Sequence, residues 1–206
     1  MTFDPVRDPS GGRTLKVVTE TDGGAMHAVV VYESMYGNTH LVADAIGAGL
    51  GGAYQVDVVP VDKAEARLLE RADLIVVGGP THAHGMSRVS TREAAVADAR
   101  KPDTELTLDP DAEGPSLRDW FDALPTLRAR AAAFDTRVDL PALLTGRAAK
   151  GIGRRLRGHG LHMVAEPESF LVTKQGRLQP DEEARARQWG TRLADVAPDG
   201  NRAPVD

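Results

Sequence analysis

The chain has 206 residues, 41% hydrophobic and 27% charged; at roughly 150 residues per domain this suggests one folded body with appendages, and excludes fibrous or wholly disordered chains. Lys and Arg number 25 against 30 Asp and Glu, a net charge of −5, which argues against a nucleic-acid binder, because neutralising phosphates takes a basic face. Cysteine is absent, which excludes disulfides, thiolate metal sites and cysteine nucleophiles together, so any redox chemistry must belong to a cofactor.

Residues 1–25 mix Asp, Pro, Gly, Arg and Thr with little apolar material beyond 15–18, and read as a flexible extension. Met26 stands directly before the first strong strand and is an alternative start. The N-terminus lacks the apolar segment of a signal peptide, and no apolar run reaches the roughly 18 residues of a membrane span. A cytoplasmic protein with no membrane association is expected.

From Ala28 onward short apolar runs alternate with helical patterns, as successive β-α units of a parallel sheet do. The runs are 28–32, 54–59, 74–77, 129–134 and the pair 161–164 and 170–173. The first and third are continuously apolar, as strands buried on both faces should be. Residues 40–50 carry Val42, Ala45, Ile46 and Gly49 at helical spacing, and Ala148, Ile152 and Leu156 recur every four. A last helix is expected from near Pro180, with Asp181 to Arg185 and Glu183 to Arg187 as acid-before-base pairs and Ala186, Trp189 and Leu193 as its buried stripe. Residues 93–115 show no period and read as a mobile insertion before a short helix at 116–123; 198–206 reads as a disordered tail.

The first strand ends in Glu33-Ser34-Met35-Tyr36-Gly37-Asn38-Thr39 and a helix follows at once. There a parallel sheet presents backbone N–H groups and a helix N-terminus to an anion. Ser34, Asn38 and Thr39 offer neutral donors, and Gly37 permits a sharp turn. The loop has no Lys, and its spacing fits neither the nucleoside-triphosphatase loop nor the dinucleotide glycine fingerprint. It reads either as a cradle for a dianionic monophosphate or as an ordinary turn in which Asn38 or Thr39 caps the helix.

Residues 30–39 resemble the FMN-phosphate loop of the flavodoxin family: an apolar strand, then Ser34, and Gly37-Asn38-Thr39, with Tyr36 where many members carry Thr. The Ser34-Met35-Tyr36-Gly37 run is also similar to the flavodoxin-like NAD(P)H:quinone oxidoreductases. The resemblance implies a three-layer α/β/α sandwich around a five-stranded parallel sheet of order 2-1-3-4-5, holding FMN non-covalently for electron transfer. In the loop after the third strand, Pro80, Thr81, Met86 and Ser87 resemble the segment that supports the flavin ring in the oxidoreductases. Carried over, Thr81, His82 and Ala83 face the flavin, chiefly through backbone groups; Ala83 stands where the family often has an aromatic, and His82 or His84 is the substitute. The fourth strand's end, Asp135, Thr136 and Arg137, falls where flavodoxins place a second flavin-facing loop, again without an aromatic.

His82 and His84 give too few ligands for a metal without a nearby carboxylate or thiolate, so no metal is expected. Imidazole also titrates near neutrality, which makes either a candidate proton donor. Arg137 has two readings. A guanidinium beside the reduced ring would stabilise its negative charge and raise the potential above that of low-potential flavodoxins; alternatively it pairs with Asp135 or Asp139. Arg147, Lys150, Arg154, Arg155 and Arg157 load one helix with positive charge, either as a solvated face or as a dock for an acidic redox partner or the 2′-phosphate of NADPH. Gly151-Ile152-Gly153 lies within a helical pattern and is no dinucleotide fingerprint.

Three functions follow: an FMN electron carrier serving a redox partner protein; an NAD(P)H-dependent reductase of a small quinone-type acceptor, with 93–115 as a lid; or a fold that has lost its flavin and serves as an interaction module.

Overall fold

The computed structural model describes residues 25–82 and 84–196. The expected extension at 1–25, apart from Ala25, and the tail at 198–206 lie outside the described residues, as does Ala83. In chain order the elements are β1 (His27–Tyr32), α1 (Asn38–Leu50), β2 (Gln55–Pro60), a 3-10 turn (Val61–Lys63), α2 (Ala66–Glu70), β3 (Leu74–His82), β4 (Gly85–Met86), α3 (Val89–Ala99), α4 (Leu117–Ala123), β5 (Arg130–Val138), α5 (Ala142–Thr145), α6 (Ala148–Gly158), β6 (His162–Met163), β7 (Glu168–Val172) and α7 (Glu182–Asp195).

The sheet runs β2-β1-β3-β5, and its last position is shared by β6 and β7. β6 pairs with Arg130 and Ala131 at the start of β5, and β7 with Phe134–Val138 at its end, all parallel. The intervening residues 164–167 end in Pro167, which has no N–H to give a ladder. The expected 2-1-3-4-5 order is thus present as five positions. β4 is an addition, a two-residue antiparallel return on Thr81 and His82.

Strand alternation sorts the core into two layers. Val29, Val31, Ile75 and Val77 face Phe121, Ile152 and Leu156 of α4 and α6. Val30, Tyr32 and Phe134 face Ile46 of α1 and Trp189 of α7. There Phe134, Phe170 and Trp189 meet edge to face with centroids 6.1–6.4 Å apart, the arrangement ring quadrupoles prefer.

α1 and α7 touch backbone to backbone. A Cβ on Gly190 would lie 2.3 Å from the Ile46 carbonyl oxygen, and one on Gly49 would lie 2.1 Å from that of Arg187. Neither obstacle is a flexible side chain, so Gly190→Ala must push the helices apart. We expect it to cost about 1–3 kcal/mol or more, the usual penalty for overpacking, measured as a lowered urea midpoint.

Two expectations are corrected. The aperiodic stretch at 93–115 does not begin as irregular chain, because α3 runs to Ala99. That helix rests on alanine content at 94, 95, 97 and 99 and on Thr91, whose hydroxyl takes the Arg88 N–H; it buries little, so it leaves no apolar period to read. In α7, Arg185 pairs with Glu168 at 2.5 Å and Glu182 at 2.7 Å, not with Asp181. Glu182 is held inward by the Leu171 N–H and so meets the guanidinium first; no partner of Arg187 occurs among the described ion pairs either. The stripe of Ala186, Trp189 and Leu193 is buried as expected. Among the described residues no helix is long and apolar enough to cross a membrane.

Candidate functional site

A cleft of about 520 Å³ opens at the carboxyl ends of β1, β3 and β5, where an open α/β sheet reverses direction and receives ligands. Met35, Tyr36, Asn38 and Thr39 line it from the first loop, Pro80, Thr81 and His82 from β3, and Thr136 and Arg137 from β5.

The first loop is built to leave donors free. Gly37 adopts φ +84° in the left-handed region and precedes α1 with no side chain capping the helix. The first helical bond runs from the Leu41 N–H to the Gly37 carbonyl, so the N–H groups of Asn38, Thr39 and His40 have no partner within the helix. Ser34 is buried and its Oγ accepts the Gly37 N–H at 3.1 Å, which fixes the turn. The Asn38 amide donates to the Gly176 carbonyl at 2.7 Å, tying this loop to the turn after β7. Neither Asn38 nor Thr39 caps the helix by side chain, and the Thr39 hydroxyl is shared with Thr136 at 2.8 Å. Tyr36 donates its hydroxyl to the Ala95 carbonyl, which holds its ring against α3.

Behind the loop a polar chain runs from Asp109 through His40 and Tyr32 to Asp111. His40 Nδ1 lies 3.3 Å from Asp109, and the Tyr32 hydroxyl lies 3.0 Å from His40 Nε2 and donates to Asp111 at 2.9 Å. Burial, with Asp111 alongside, pushes the Tyr32 hydroxyl far up from its ordinary value. The imidazole and two carboxylates have ligand atoms within 4.8 Å of one another, but they already satisfy each other.

Two expected contacts, Asp135 and His84, do not line the cleft, and the polar groups of Thr81 and Arg137 are engaged by the scaffold. Asp135 does not face the cleft: its side chain is fully buried on the opposite side of β5, where it accepts from the Ala149 N–H at 2.8 Å and the Thr81 hydroxyl at 3.0 Å. Residues 134 and 136 point one way and 135 the other, and a carboxylate on that side meets the bare start of α6. Thr81 lines the cleft as expected, while its hydroxyl also accepts from the Ala148 N–H and so serves the scaffold. His84 points away from the cleft, at φ +73°, and lines a groove on the far side of the hairpin. His82 and His84 therefore face different cavities. Arg137 pairs with neither Asp135 nor Asp139; its guanidinium donates to the carbonyls of Val138 and Leu140, because the strand ends there and its carbonyls turn outward.

His82 keeps a buried Nε2 with no partner. Burial, beside the Arg92 guanidinium, outweighs the pull of Glu33 and lowers its pKa, so the ring stays neutral near neutrality.

Burial raises the pKa of Asp135, so the folded protein binds this proton more tightly than the unfolded chain. Stability contributed by the carboxyl is present at acid pH and is lost as pH rises from about 4 through the raised folded value. Asp135→Asn should therefore gain stability relative to the parent over that window, checked by urea titrations from pH 4 to 7.

Two further segments complete the cleft: Asp98 and residues 103–106, and residues 172–176. The second was foreseeable, since it ends the fifth sheet position on the ligand side. Asp98 came from a helix with no periodic signal.

The flavodoxin family model matches residues 30–113. No curated protein matches the chain in sequence. Among solved structures it is similar to a flavodoxin from the domain Archaea, 20% identical with a TM-score of 0.57, over 82% of this chain and 96% of that one. It is similar also to the flavodoxin of Streptococcus pneumonia TIGR4, 20% identical, TM-score 0.54, over 81% and 97%, and to oxidised flavodoxin 2 from Bacillus cereus, 16% identical, TM-score 0.53, over 82% and 97%. The chain thus shares the flavodoxin fold, and the family's sequence pattern is matched over residues 30–113.

Proposed function

We propose that the chain binds FMN non-covalently in this cleft and passes electrons to or from a redox partner protein or a small quinone-type acceptor. The observation that carries the reading is the uncapped start of α1, which leaves three N–H groups beside a left-handed Gly37 at the mouth of the cleft. A phosphate dianion placed there gains hydrogen bonds and the positive end of the helix dipole without needing a cationic side chain. When bound, FMN would supply the redox chemistry, and the protein the orientation and field.

Tyr36, Pro80, His82 and Arg137 would flank the ring, with Tyr36 held from behind by Ala95. Asp98, Asp103 and Glu105 also line the cleft, against Arg137 and Lys174; the acids oppose the stabilisation of a reduced ring expected from Arg137 alone. The same acids come from the stretch assigned as a lid, which supports a reductase as the second reading.

The test is a visible spectrum of the protein mixed with FMN and desalted, with calorimetry alongside. Retained flavin absorbance with one-to-one heat supports the proposal; a folded protein that retains none and gives no heat refutes it and favours the interaction module. Oxidation of NADPH only when a quinone is added selects the reductase over the carrier.

A further inference from the structure

A second groove of about 520 Å³ lies between β4, α4 and α6, across the hairpin from the cleft already described. Arg118, Arg147, Lys150, Arg154 and Arg155 line it, and no acidic residue does. Arg157, counted with them in the sequence, does not line it. In a chain of net charge −5, five cations around one concavity repel one another and raise the local concentration of anions.

Two of these cations are held in place by hydrogen bonds to neutral partners. Arg118 donates to the carbonyls of Ser87 at 2.8 Å and Met86 at 3.2 Å. Arg147 donates to the Ser169 hydroxyl at 3.0 Å and the Pro167 carbonyl at 2.5 Å. Among the described residues Asp122, bonded to Arg155, is the one carboxylate paired with any of the five.

The floor adds an independent observation. A Cβ on Gly85 or Gly158 would meet nothing within 4 Å, and one on Gly151 would meet only Met86 Cε at 3.6 Å. Packing does not demand glycine at any of these positions, although Gly151 sits inside α6, where glycine is disfavoured. Their common effect is bare backbone between the cations. Residues 147 to 155 extend along roughly 12 Å of helix axis. One phosphoryl group engages one or two guanidinium forks, so a row of this length suits two in succession.

We propose that this groove binds a diphosphate group. The assignment does not depend on flavin in the first cleft.

The test is calorimetry of the full chain with inorganic pyrophosphate and with ADP, at low and at raised salt. Saturable binding of both is expected, weakening with salt. Lys150→Glu with Arg154→Glu should weaken it at least about tenfold. Gly151→Leu, which fills the floor and leaves the charges alone, should do the same. Flavin retention should be unchanged in both variants, which separates failure here from failure of the flavin reading. No heat with either ligand, equal binding by the charge-reversed variant, or sulfate binding as tightly as pyrophosphate would each overturn the proposal.

Discussion

Glu33→Ala is expected to destabilise the protein by about 3–5 kcal/mol, the usual consequence of removing one partner from a buried ion pair. Glu33 follows β1 and is buried with its carboxylate committed three ways. It lies 2.9 Å from Arg92 Nη1, accepts the Leu117 N–H at 2.8 Å, and accepts the Ser87 hydroxyl. These partners belong to α3, α4 and the end of the β4 hairpin, so one side chain joins three segments beside the first loop. Without it the Arg92 guanidinium keeps its bonds to the carbonyls of Ala112 and Gly114 but remains a nearly buried charge that has lost its ion-pair partner.

Replacing Arg92 by Leu in the Glu33→Ala background removes the stranded charge, so the double variant should recover part of the loss, and denaturant midpoints would show the two changes to be non-additive. Additive or greater-than-additive loss would mean that Glu33 acts through Ser87 and Leu117 and not through the ion pair.

What could be read in the sequence divides along the same physical lines. Val29 to Val31 and Ile75 to Val77 announce themselves because a strand covered on both faces has no polar alternation, and Ala186, Trp189 and Leu193 because one side of α7 alone is covered. The first loop was legible because Gly37, Asn38 and Thr39 are adjacent in the chain, and their role is set by a local turn. Asp135 was misplaced for a related reason: a position at the end of a strand is fixed by sequence, but which side of the sheet it faces depends on register with its neighbours. Of the cleft's outer walls, the turn at 172–176 follows from its place at the end of the fifth sheet position, whereas Asp98 is brought in by tertiary packing and carries no short-range signature. α3 could not be read as amphipathic, because Ala95 is its one fully buried residue.

The most severe functional prediction concerns Asn38. Asn38→Asp preserves size and shape but places a carboxylate at the uncapped start of α1, where the phosphate dianion is proposed to sit. Two unit charges about 5 Å apart at an effective dielectric near 20 repel by roughly 3 kcal/mol, which lowers FMN affinity by at least about a hundredfold. Stability should move in neither direction by much. The lost bond to the Gly176 carbonyl costs about 1 kcal/mol, and an acid in the first turn of α1 returns about 0.3–1 kcal/mol through the helix dipole. Asn38→Ala, which loses the same bond but adds no charge, should weaken FMN far less. Riboflavin separates the phosphate from the ring, because it lacks the dianion: its weaker binding should be nearly the same in the parent and in Asn38→Asp. A variant that loses riboflavin and FMN equally would show that Asn38 shapes the ring pocket through the turn at 172–176, and that the phosphate does not rest on the start of α1.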